Sequence, residues 1–150
     1  MAGAAPGDHP DVLTGAFFGL EVRGVPMPVK GYFTECTGLQ MEYEVFEYQE
    51  GGENGFVHKL RGRAKYPNIV MKRGVTSERS LFNWFAATKD EVKRAEGDIT
   101  LYSTDLTPMR KWSFRGAFPV KWQGPNLKSN SGEIAVETLE FAHHGLIDAT

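Results

Sequence analysis

The stretch that most constrains the fold runs over residues 111–123, KWSFRGAFPVKWQ. Trp112, Phe114, Gly116, Phe118, Val120 and Trp122 share one parity, and polar or small residues take the other. A period of two predicts a half-buried β-strand. An ordinary strand runs about five or six residues. A longer one must reach past its own core or cross between sheets, and Gly116 and Pro119 are the places where the backbone would become irregular.

The rest of the chain fits a single β-rich domain. Residues 1–14 are rich in Gly, Ala, Pro and Asp and read as a flexible arm, with 15–150 as the domain. Strands are expected over 16–23, 32–39, 41–48, 57–63, 69–71, 99–104 and 134–144. Turns fall at 25–31, where two prolines stiffen VPMPVKG, and at 105–109. The parity of Ile134 and Val136 against Leu139 and Phe141 predicts a bulge near 137–138. Tyr43 and Val45 oppose Phe46 and Tyr48 on 41–48, so one face should be internal and the other should meet a second surface. One helix is expected, capped by Thr76 or Ser77 and closed by Gly97. Leu81, Phe82, Trp84, Phe85 and Thr88 form its apolar stripe, with Glu78 in the first turn and Lys93 and Arg94 near the last. About seven strands and one helix make a mainly β chain, too helix-poor and hairpin-rich for a doubly wound sheet.

The 150 residues are 41% hydrophobic and 24% charged, enough for a core, and a net charge of −2 argues against general nucleic-acid binding. One cysteine, Cys36, excludes an intrachain disulfide and reads as a small strand residue. No run approaches the roughly twenty apolar residues of a membrane span, so stable membrane insertion of the monomer is not expected. The first residues lack the pattern of a secretion signal, so folding in the cytosol is expected, with any exit by another route.

Candidate chemistry is thin. His143 and His144 are adjacent, and neighbours on a strand face opposite ways, so the pair is poorly placed to chelate one ion even with His9 or His58. No motif supports a Cys36 nucleophile. Glu42, Glu44, Glu47, Glu50 and Glu53 read as a solvated face, and the glycines at 51, 52 and 55 match no phosphate loop. No catalytic residue, cofactor or metal ligand is expected. Lys59, Arg61, Arg63, Lys65, Lys72 and Arg73 are the basic concentration, and a sheet-based nucleic-acid binder is the alternative they allow. The acidic run directly before them fits subunits pairing with one another better. Exposed strand edges and apolar groups on both strand faces also suggest assembly, and heterologous faces would build stacked rings.

Four blocks then carry a resemblance: DVLTGAFFGLEV at 11–22, GYFTECTGLQMEYEVFEYQEGGENG at 31–55, YPNIVMKRGVTSERSLFNWF at 66–85 and RKWSFRGAFPVKWQGPNLKSNSGEIAVETLEFAHHGL at 110–146. In this order they resemble the tail-tube proteins of contractile phages and of extracellular contractile injection systems, related in fold to the type VI secretion tube protein. The resemblance implies a small antiparallel β-barrel or sandwich with one flanking helix. It also implies hexameric rings stacked into a rigid hollow tube, inside a sheath, with baseplate, spike and terminator proteins at the ends and a lumen able to hold cargo or DNA. It implies that Gly51, Gly52, Asn54, Gly55, Phe56, His58, Lys59, Arg61 and Arg63 lie on an extended hairpin reaching a neighbouring subunit. The arm and the turn at 105–109 would make further contacts. Asn68, Lys72 and Arg73 would hold the junction before the helix. Leu81, Trp84, Phe85, Trp112, Phe114, Phe118 and Trp122 would be core or near-interface anchors. A tube-initiating or baseplate-proximal paralogue would share these blocks, and an effector-carrying tube of the type VI kind is a further reading.

Overall fold

The computed structural model describes residues 15–25, 29–49, 51–52, 55–74, 79–125 and 135–148. The arm at 1–14, the proposed caps Thr76 and Ser77, Glu78, Asn54 and Ile134 lie outside these residues. Ten strands and one helix follow in chain order: β1 Phe17–Arg23, β2 Val29–Phe33, β3 Glu35–Thr37, β4 Glu42–Tyr48, β5 His58–Lys65, β6 Ile69–Gly74, α1 Ser80–Ala87, β7 Ala95–Tyr102, β8 Pro108–Gln123, β9 Val136–Ala142 and β10 Gly145–Asp148. The eight-stranded main sheet is antiparallel throughout, in the order β2-β1-β7-β8-β9-β6-β3 with β10 also on β8. It coils until β2 packs against β6, and α1 lies on β8 and β2. This is the mainly β architecture with one flanking helix that the pattern predicts. No helix of the described residues is long and apolar enough to cross a membrane.

β8 spans 16 residues and links two halves of the sheet. Its first part pairs with β7 and β10, and its second, from Phe118, pairs with β9. The crossing falls at Gly116, whose φ of 65° is left-handed. A Cβ there would lie 3.1 Å from the Cβ of His144, so glycine suits the site both conformationally and sterically. A second register shift lies between Pro119 and Lys121. These shifts correct the single apolar face expected over 111–123. Phe114 is buried, but beyond Gly116 the buried positions are Ala117 and Pro119, while Val120 is exposed and Phe118 half-buried.

β9 departs from expectation in the opposite sense, since its register against β6 runs without a shift from residue 136 to 141. No bulge is needed, because the inward residue is Glu137 instead of Val136, which is 41% exposed. The helix is also shorter than the pattern suggests. The Thr88 hydroxyl donates to the Phe85 carbonyl and closes it. Gly97, read as its stop, lies inside β7, where a Cβ would collide with the Glu21 carbonyl and the Phe114 ring. Only a bare backbone lets β1 and β7 approach there. Arg94 leaves the helix and donates to the Gly116 carbonyl at 3.2 Å, with its guanidinium over the Phe118 ring. β2 likewise begins at Val29, within the expected turn, because Val29 is fully buried. The later turn ends at Thr107, and Pro108 opens β8, a position that requires no ladder N–H.

The core comprises Leu20, Val22, Val29 and Phe33 from β1 and β2, Ile69 and Met71 from β6, Leu81 and Trp84 from α1, Ala95 and Ile99 from β7, Phe114 and Ala117 from β8, and Leu139 and Phe141 from β9. Phe141 lies at the centre, with ring centroids 4.9 Å from Phe114 and 5.8 Å from Trp84.

Candidate functional site

β4 and β5 form a sheet of their own, a two-stranded ribbon joined through Gly51 and Gly52. Neither strand packs substantially on any other described element. An isolated two-stranded hairpin has little stability in water without further support. Its register sets Val45 opposite Arg61, Phe46 opposite Leu60, Glu47 opposite Lys59 and Tyr48 opposite His58. One face therefore carries Phe46, Tyr48, Leu60 and His58, with Phe56 against the His58 ring at 4.7 Å. The other carries Tyr43 and Val45 beside Arg61, whose guanidinium sits 4.4 Å from the Tyr43 ring centre.

Both faces are open, which corrects the expectation that one would be internal. Phe46 is 56% exposed, Leu60 54%, Phe56 59% and Val45 60%. Exposed apolar side chains grouped on one ribbon make it the candidate interaction site. Gly62 is the narrow point of the ribbon, since a Cβ there would meet the Phe46 ring at 2.5 Å. The acidic and basic runs were expected to pair between subunits. Within the ribbon they already face each other, Glu42 opposite Lys65 and Glu47 opposite Lys59, with Lys65 to Glu44 at 3.2 Å. Cations compensated in this way make a weak nucleic-acid surface.

The structure brings Gly51, Gly52, Gly55, Phe56, His58, Lys59, Arg61 and Arg63 onto this ribbon or its turn. Asn68, Lys72 and Arg73 lie at β6 and serve three separate contacts. The Asn68 amide donates to Glu140 at 3.0 Å, Lys72 faces Glu35 at 3.9 Å, and the Arg73 Nε donates to Glu137 at 3.1 Å. The last pair is buried, and Glu137 also accepts from the Trp122 indole at 2.6 Å. Among the expected anchors, Leu81, Trp84 and Phe114 are buried, and Trp112 and Trp122 flank the core. Phe85 instead stands 36% exposed, because a two-turn helix points only Leu81 and Trp84 inward.

Sequence reasoning missed Phe46, Tyr48 and Leu60 as surface residues, although apolar residues on both parities of 41–48 are the signal. It also missed Glu137, a carboxylate hidden within an apolar alternation. Cys36 is half-buried, and burial pushes its thiol up to about 12, which makes it a poor nucleophile. Among the described residues no three His, Cys, Asp or Glu side chains are grouped to hold a metal.

His143 and His144 occupy the break between β9 and β10 and face different surroundings. His144 meets the Arg94 guanidinium at 3.0 Å. His143 is buried, with Nδ1 3.2 Å from the Gly145 carbonyl and no partner for Nε2 among the described residues. Burial lowers its pKa, against the opposing pull of the Gly145 and Pro67 backbone, and the neighbouring His144 adds to the lowering. An unfolded histidine takes a proton near pH 6.5, whereas this one resists, so stability is lost as pH falls below about 6.5 and on through the folded value. Thermal unfolding between about pH 7 and about pH 5 should therefore show a smaller drop in His143→Phe than in wild type. Equal drops would exclude the buried imidazole as the source.

The family model described as T4-like virus tail tube protein gp19 matches residues 16–147. No curated protein sequence matches the chain. A chain in the cryo-EM structure of the anti-feeding prophage baseplate, 6-fold symmetrised, superposes with a TM-score of 0.79 at 24% identity, covering 93% of this chain and 96% of that one. A chain of the sheath–tube complex of the extracellular contractile injection system PVC, in its extended state, gives 0.74 at 25% identity over 88% and 87%. A chain of the PVC sheath/tube terminator, also extended, gives 0.77 at 24% identity over 96% and 99%.

Proposed function

The chain belongs to the T4-like virus tail tube protein family, and on that premise we propose that it is the repeating subunit of a hollow inner tube built from stacked hexameric rings. It is a structural component of a contractile injection system or phage tail, and its work is mechanical, not catalytic. The observation that carries the reading is the two-stranded ribbon, with apolar side chains open on both faces and little packing on the other described elements. Exposed apolar surface of this kind is what a protein–protein contact covers, and stacked subunits would supply that cover.

In this reading the rings sit inside a contractile sheath, as in the sheath–tube complex whose chain this one resembles. A baseplate and a terminator would meet its two ends. Subunits would fold in the cytoplasm and leave the cell as part of a finished particle. Stiffness would then come from many ordinary contacts repeated along the length.

Electron microscopy of the purified full chain tests the proposal. Stacked rings or tubes of sixfold symmetry are the expected result, with this protein as the major inner component of particles from its host. A protein that stays monomeric and occurs only beside the baseplate would replace the main-tube role with the initiator role. A monomer absent from every particle would overturn both.

A further inference from the structure

On the face of the sheet opposite the core, β2, β1, β7 and β8 enclose a groove of about 880 Å³. Its floor is low because Gly19 and Thr100 are paired across β1 and β7, where larger side chains would fill it. One end is aromatic. The rings of Phe17, Tyr32 and Tyr102 pack around each other there with centroids 5.4 to 5.8 Å apart, and Tyr32 is 58% exposed. The other end is charged and preorganised. Asp98, 7% exposed, accepts from Arg23 at 2.5 Å and from Ser113 at 2.6 Å, with Lys111 at 3.5 Å. Arg110, which is paired with Asp148, and Lys111 stand along the β8 wall, and Glu21 and Lys30 complete the polar lining.

The ribbon is patterned in the same two parts. Its tip is aromatic and apolar, with Phe46, Tyr48, Phe56 and Leu60, and its root is charged, with Glu42 and Glu44 on the same face sharing the single cation Lys65, which leaves an acidic excess. We propose that the groove on β2-β1-β7-β8 is the receiving site for the β4–β5 ribbon of a second copy of this chain. The aromatic tip enters the Tyr32–Tyr102 end, and the Glu42–Glu44 root lies along the Arg110–Lys111 wall. The ribbon does not pack into the groove of its own domain. The two surfaces differ, so the contact is heterologous and repeats from subunit to subunit, as a ring or a stack requires. The assignment rests on the tube-subunit reading and specifies which surface of the neighbour is used.

The test carries p-benzoylphenylalanine in place of Phe46, mixed with wild-type full-length chain so that assembly proceeds, followed by irradiation and mapping of intersubunit crosslinked peptides. Crosslinks to residues 17–21, 98–102 or 108–111 are expected. Crosslinks to the arm at 1–14, to α1 or to another ribbon overturn the groove. In a second arm, Thr100→Trp fills the floor, and the expected result is an unchanged melting curve with loss of pelletable tubes; normal pelleting overturns the proposal. Wild-type tubes with crosslinks elsewhere sink the groove alone, whereas a wild type that forms neither rings nor tubes removes the tube reading and the groove together.

Discussion

Replacing Glu137 with alanine is expected to destabilise the unassembled protein by about 3–5 kcal/mol, the usual cost of removing one partner from a buried ion pair. Both side chains are nearly sealed from water, Arg73 at 5% exposure and Glu137 at 7%. The carboxylate accepts from the Arg73 Nε through one oxygen and from the Trp122 indole through the other, so it ties β6 to β9 and β8 at once. Alanine would leave a buried guanidinium deprived of that carboxylate and an indole N–H without its acceptor. Desolvated donors of this kind are costly, and charged ones most of all. The Arg73 guanidinium also lies 5.2 Å from the Phe33 ring centre and reaches the bare Gly31 on β2, so its displacement would be felt where the coiled sheet closes. Urea unfolding of the monomer measures the effect. A loss under about 1 kcal/mol would show that the pair is dispensable. The double replacement Arg73→Met with Glu137→Leu should recover much of the loss, because removing both charges also removes the desolvation cost.

Glu137 also shows where sequence reading fails. An inward carboxylate and an outward valine invert the polarity rule at adjacent positions, and the rule then invents a bulge to restore alternation. Nothing within 136–142 betrays the error, since the compensating Arg73 lies on another strand and Trp122 on a third. Long-range charge compensation carries no local period. The helix boundary failed for a related reason. Gly97 has the chemistry of a helix stop, yet its use is to let β1 and β7 approach, a contact between residues distant in sequence. By contrast, the crossing of β8 was legible because Gly116 interrupts its own strand, and a left-handed backbone can be anticipated from residue type alone. The antiparallel class was legible for the same reason, since strand periods and turn residues are local. Within the candidate site, the glycines, Phe56 and the basic limb were visible, but the exposure of Phe46, Tyr48 and Leu60 was not. Phe46 and Leu60 look like core residues to any rule that assumes a chain folds alone.

That last failure sets the second large prediction. Phe46→Thr with Leu60→Thr should leave the monomer folded and abolish tubes at concentrations where wild type forms them. The two side chains face each other across the ribbon and are 56% and 54% exposed, so the monomer gains little from them. Threonine keeps the strand preference, and exposed substitutions of this type shift stability by no more than about 0.5 kcal/mol. Assembly is affected differently. Covering the exposed half of each side chain is worth about 1–1.5 kcal/mol, or about 2–3 kcal/mol per ribbon contact, roughly a 30- to 150-fold change in each association constant. Every subunit of a repeating array makes the same contact, so the loss is incurred at each addition and the concentration needed for growth rises accordingly. Pelleting and microscopy across a concentration series read this directly, and circular dichroism checks the fold. Tubes at the wild-type threshold would mean that the ribbon's apolar face is not what joins the subunits. A variant that unfolds would mean that the ribbon supports its own domain, contrary to its lack of packing there.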